Sequence, residues 1–130
     1  MYRATTKGFE VIVHPAYLDG QSEPDLPRHV WAYSVRIENG GDRAATLVSR
    51  RWEIVDGEGR KEIVDGPGVV GQTPRIEPGG SFEYHSGCPL PTTHGTMHGR
   101  YTMVDDAGEA FEIEIPPFSL DLPNVKPTLN

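Results

Sequence analysis

Disulfides and metal staples are nearly ruled out by one absence: the chain has a single cysteine, Cys88, so no internal disulfide forms and no thiol framework points to secretion. Long apolar runs are missing too. No stretch approaches the roughly 18 residues that a spanning helix needs, and the N-terminal MYRATTKGFEVIV has neither the apolar centre nor the small-residue cleavage site of a signal peptide. Net positive charge is also lacking. At a formal charge of -7 and a pI near 5.1 there is no overall attraction to phosphate backbones or anionic lipid, so neither nucleic acid nor a membrane is the expected partner. No capped amphipathic stretch is long enough to read as a helix. The location these absences predict is the cytosol.

Turn formers and alternating strands are what the chain does have. Its 130 residues include 15 glycines and 12 prolines, interleaved with apolar runs, which predicts one folded unit with many turns. Period-two alternation carries the fold. VWAYSVRIE puts Trp31, Tyr33, Val35 and Ile37 on one face, and LVSRRWEIVD puts Val48, Trp52 and Ile54 on one face with Arg50 between them. ENGGD turns the first of these, and DGEG turns the second into RKEIVDG. SFEYHSG sets Phe82 and Tyr84 inward, TMHGRYTMVDD aligns Met97, Tyr101 and Met103, and AFEIEI aligns Phe111, Ile113 and Ile115; DDAG at Asp105 joins the last two. With an opening strand GFEVIVH and a short closing strand FSLDL, the count is about seven or eight. That spacing predicts an all-β, immunoglobulin-like or fibronectin type III-like antiparallel β-sandwich. It spans residues 1–123, with a polar loop at 19–28 and an extended tail at 124–130.

The segment GPGVVG (Gly66, Pro67, Gly68, Val69, Val70, Gly71) spells the G-x-G-x-x-G of dinucleotide-binding enzymes. That fingerprint works through a following helix whose N-terminus meets the pyrophosphate. Here the following QTPRIEPGGSFEY excludes such a helix, and no acidic residue closes a second parallel strand some twenty positions on. The expected reading is a tight glycine turn; an anion-binding nest of backbone amides is the alternative.

Four residues carry metal-ligand chemistry, His85, Cys88, His94 and His98, but their spacing is shorter than that of a zinc finger, and no metal or cofactor is expected. Cys88 lacks the cationic neighbour or helix N-terminus that would hold a reactive thiolate. Asp105 with Asp106, and Glu112 with Glu114, read as a turn and a solvated strand face, so no general acid/base pair stands out. On sheet faces, Arg50 shares the side of Trp52 and Arg51 does not, which predicts a structural Arg50.

WAYSVRIENGGD, LVSRRWEIVDGEGR, VDGPGVVGQTPRIEPGGSFEYHSGCPLPT and GTMHGRYTMVDDAGEAFEIEIPPFSLDLP together resemble the ApaG (CorD) family from about Tyr2 to Pro123. The resemblance rests on the order and spacing of SRRW, GPGVVG, SGCPLP, GTMxGxY and FSLDLP. It implies the same sandwich fold and no agreed catalytic machinery. It also implies an association with cobalt resistance and magnesium efflux, and with genes lying near that of a diadenosine tetraphosphate hydrolase. Related domains in F-box proteins and in a DNA polymerase delta-interacting protein act as protein-recognition modules. The family's glycine loop maps onto Gly66, Gly68 and Gly71, and its SGCPLP onto Ser86–Pro91. Its members are expected to lack a histidine at the position of His94.

The reading that follows is a non-enzymatic binding module with a protein partner, recognised through a sheet edge or through two loops, Gly66–Gly71 and Ser86, Gly87, Cys88, Pro89. A sensor of divalent cation or nucleotide polyphosphate is the alternative, and hydrolysis of a phosphate-containing small molecule ranks third. Both a monomer and a weak homodimer remain open.

Overall fold

Alternation between apolar and polar residues is realised as two antiparallel sheets packed face to face. The structure, a computed structural model, describes residues 1–18 and 28–123; the loop expected at 19–28, apart from Arg28, and the tail at 124–130 lie outside the described residues. Among the described residues there are nine strands: β1 (Tyr2–Thr6), β2 (Phe9–Tyr17), β3 (His29–Asn39), β4 (Ala45–Asp56), β5 (Lys61–Pro67), β6 (Arg75–Ile76), β7 (Ser81–Leu90), β8 (Gly95–Asp105) and β9 (Ala110–Leu120). One sheet runs β1-β2-β3-β7 and the other β5-β4-β8-β9, with β6 pairing the start of β4 beside β5. β1 and β2 pack on β9, so the edge strands β5 and β7 lie at the opposite side of the sandwich. Among the described residues no helix is long and apolar enough to cross a membrane.

The core is the set of inward positions on both sheets. Val35, Ile37, Val11 and Val13 meet Leu47, Met103, Ile113 and Ile115, all fully buried. Trp52 sits against Tyr33 and Phe118 in edge-to-face contacts, a geometry that adds to the area it buries.

Turns are set by short polar residues. Asp56 and Asp105 close their hairpins identically: each carboxylate Oδ1 accepts the amides two and four residues on, from Glu58 and Arg60 and from Ala107 and Glu109 respectively. Asn39 is buried, and its amide group donates to the carbonyls of Arg43 and Ile76, tying the β3 turn to the second sheet. A buried polar side chain satisfied on this scale fixes the turn as firmly as packing does.

Four local expectations need correction. The opening strand is preceded by β1, joined to β2 by a two-residue turn in which Lys7 and Gly8 both have positive φ, the pattern of a primed hairpin. Val48 is not on the inner face with Trp52. A bulge shifts the β4–β8 register between Leu47 and Ser49, so Ala45 and Leu47 point inward before it and Arg50, Trp52 and Ile54 after it, with Val48 as the extra residue. FSLDL is not a separate strand. β9 continues through Pro116 and Pro117 because a second register shift lets them oppose the single residue His98, so neither proline has to donate to the ladder. Lastly, Ser86, Gly87, Cys88 and Pro89 are strand and not loop: β7 extends to Leu90 along β3, and Pro89 is tolerated because β7 is an edge.

Candidate functional site

Gly66 and Pro67 end β5, and the remaining four residues of GPGVVG form a tight turn built by internal bonds. The Gly68 amide donates to the carbonyl of the bulged Val48, while Val69 and Gln72 exchange both backbone hydrogen bonds at 2.8 Å. Val69 is buried, whereas Val70 is 52% exposed with φ 44°, followed by Gly71 at φ 78°. Positive φ at both central residues is a type I′ pattern, and for a β-branched side chain it is strained. Three of the amides available for an anion nest are therefore already bonded, those of Val69 and Gln72 to each other's carbonyls and that of Gly68 to β4. The chain continues into β6 and not a helix, which removes the dinucleotide-binding reading on structural grounds.

Arg50 links this loop to the rest of the site. It lies in the row Gly66–Arg50–Tyr101 across β5, β4 and β8, on the inner face with the fully buried Tyr101. Its guanidinium passes over Gly66, where a Cβ would fall 2.8 Å from Nη2. Its Nη1 donates to the carbonyls of Pro67 and Gly68 at 3.0 and 2.9 Å. The glycine at 66 thus provides room for a cation that leaves the core at the edge of the sheet.

Beyond Arg50 lies a cleft of about 300 Å³ between the two edge strands. Its β7 wall is Ser86–Pro89, with Tyr33 behind; its β4–β5 wall is Arg50, Trp52 and Val64, with Glu62 further along β5. Of the two segments singled out in the sequence, Ser86–Pro89 lines the cleft itself, while the glycine loop reaches it only through the Arg50 hydrogen bonds to Pro67 and Gly68. The interior behind it is unusually hydroxylated. Tyr33 is hydrogen-bonded to Ser86, and burial raises its pKa against that bond. Tyr84 and Tyr101 share a hydroxyl hydrogen bond between the sheets, and burial keeps both phenols protonated far above the ordinary tyrosine range. Sequence alternation places each tyrosine inward but does not show that they converge.

The metal-ligand residues are dispersed. His98 Nε2 is 2.9 Å from Glu53, which also holds Lys61 at 2.7 Å. His94 packs its ring on Gly57, His85 stands exposed opposite Ser34 on the outer face, and Cys88 is buried. Among the described residues no group of three or more His, Cys, Asp or Glu is placed to hold a metal ion. Burial, with a smaller contribution from Glu62, pushes the Cys88 thiol up to about 11, the opposite of what a nucleophile needs. Asp105 is a turn anchor paired to Arg43, Asp106 pairs with Arg75, and Glu112 pairs with Arg100.

The ApaG domain family model matches residues 19–105. Protein ApaG of Brucella anthropi is 54% identical over the full length of both chains, and Protein ApaG of Mesorhizobium japonicum is 52% identical over the same extent. The crystal structure of a putative ApaA protein from Bordetella pertussis superposes with a TM-score of 0.87 at 49% identity, covering 90% of this chain and 95% of that one.

Proposed function

This chain belongs to the ApaG family, and from that premise we propose that it is a non-enzymatic binding module whose recognition surface is the cleft between β5 and β7. One observation carries the reading: the two edge strands of the sandwich border a single cleft, lined by the Ser86–Pro89 segment and by Arg50, which also holds the glycine turn. Among the described residues neither β5 nor β7 has a second strand partner. Each edge therefore offers backbone donors and acceptors for an added strand, with side-chain specificity supplied by the cleft.

The partner on this reading is a protein. The association of the family with cobalt resistance and magnesium efflux then runs through that partner and not through an ion held by this chain. Affinity capture from a lysate of the producing organism tests the reading, comparing the natural chain with Val64→Asp, which places a second carboxylate in the cleft beside Glu62. A partner retained by the natural chain and lost with Val64→Asp, while the variant keeps its circular dichroism spectrum, is the expected result. Equal retention by both would move the surface elsewhere.

A further inference from the structure

Arg50 is an inward-facing cation with no acidic partner among the described residues. Its neighbours on the outer face are paired, Arg51 with Asp65 and Arg100 with Glu112. Among the described residues no carboxylate lies within ion-pair distance of Arg50. Its two protein bonds both leave from Nη1 and both end on neutral carbonyls. A guanidinium carries five N–H donors, so Nε and Nη2 remain, the pair of nitrogens that grips a carboxylate side on. A half-buried cation bordering a cleft and lacking a counter-ion is a place where an anion binds.

The rest of the cleft states which anion. Beside Arg50, Tyr33 and Ser86 add hydroxyls; the remaining walls include Trp52, Ile54, Val64 and Met97, which are apolar. Glu62 lies four residues from Gly66 along β5, about 13 Å at the rise of a strand, and its charge opposes a dianion. So does the net charge of -7. A volume near 300 Å³ is at the small end of ligand sites and accommodates a body the size of one or two amino-acid residues.

We propose that the cleft is a receptor for a monocarboxylate with an apolar body, gripped by Arg50 with the one hydroxyl proton that the Tyr33–Ser86 pair leaves free, and packed on Trp52 and Val64. This deepens the binding-module reading and rests on it, since it names the group recognised by that same surface. The occupant is an apolar C-terminal residue of a partner protein, the source that the binding-module reading supplies.

The test is an NMR titration of the full chain with four probes: N-acetyl-leucine, its uncharged amide, 4-methylpentanoate and inorganic phosphate. Saturable shifts at the amides of Gly66, Gly68, Ser86 and Gly87 with N-acetyl-leucine, and binding at least about tenfold weaker for the amide, are expected from the loss of a charge-assisted bond. Tighter binding of N-acetyl-leucine than of 4-methylpentanoate is expected for a peptide C-terminus; equal binding would point to a free acid and overturn that assignment. Arg50→Gln should abolish the preference for the acid. Ser86→Ala, whose lost hydroxyl lies near the surface, should weaken the acid severalfold with the rest of the spectrum unchanged, so the claim stands or falls even if Arg50→Gln does not fold. Equal affinity for acid and amide, phosphate binding as well as the carboxylate, or no saturable shift in the cleft overturns the proposal. If those results coincide with a captured protein still lost in Val64→Asp, the carboxylate assignment has failed and the binding surface has not.

Discussion

Arg50 lies across Gly66, its cross-strand neighbour, and fastens the two carbonyls that follow it, those of Pro67 and Gly68. The glycine loop is thereby fastened to a residue that lines the cleft, and its glycines have separate jobs that mutation can distinguish. A Cβ at Gly68 would lie 2.1 Å from the Gln72 carbonyl oxygen at φ 56°, backbone against backbone. At Gly66 it would meet only the mobile end of Arg50. Gly68→Ala is expected to cost roughly 1–3 kcal/mol and Gly66→Ala about 1 kcal/mol or less, with urea unfolding as the measurement. The reverse order would contradict the assigned roles.

Val70 is the one exposed residue of the turn held in a strained conformation. Val70→Asn should stabilise the domain by roughly 0.5–1 kcal/mol, because Asn followed by glycine is the preferred type I′ pair. If the strain is retained because the valine touches a partner, the same change weakens capture while raising the melting temperature. A fall in melting temperature would mean that the turn is not strained as described.

Cys88 should be inert in the folded chain. With its thiol raised from 9.0 to about 11 by burial, the thiolate fraction at pH 8 falls roughly a hundredfold. Modification by a disulfide reagent at pH 8 should therefore be slow in buffer and fast in denaturant; rapid labelling of the native protein would reopen the nucleophile reading.

Glu53 gives the acid limb of stability. Lys61, hydrogen-bonded to it, and then His98 hold its carboxyl below the ordinary value of 4.5, against partial desolvation. A carboxyl lowered in the folded state stabilises it above the unfolded pKa and loses that contribution as pH falls through the folded value. Glu53→Gln should thus lower the melting temperature at pH 6 and make no difference once the pH has fallen well below the folded-state value. A gap that persisted unchanged at the lower pH would show that the effect is not electrostatic.

The alternation in VWAYSVRIE, AFEIEI and TMHGRYTMV is enough to place the inner faces of β3, β9 and β8, because a strand with one buried face records its orientation in every second residue. The errors fall where that record is interrupted. At Val48 a bulge shifts the parity of β4, and a sequence with a valine on one side of the shift and tryptophan on the other reads as continuous. At Pro89 and at Pro116–Pro117 prolines imitate turns although an edge and a bulge make them compatible with strand. For the site, the inward position of Arg50 was legible from its parity with Trp52. Its place in one cleft with Tyr33 and Ser86 was not, since that depends on how two sheets align, and no local pattern encodes it.

The central claim, that the β5–β7 cleft is the recognition surface, is tested most directly by photo-crosslinking in living cells from two carboxylate positions, 62 within the cleft and 114 on the outer face of β9. A photoreactive residue replacing Glu62 should yield discrete higher-mass adducts, and one replacing Glu114 none. Adducts from position 114 alone would place the partner on the opposite sheet face and contradict the account.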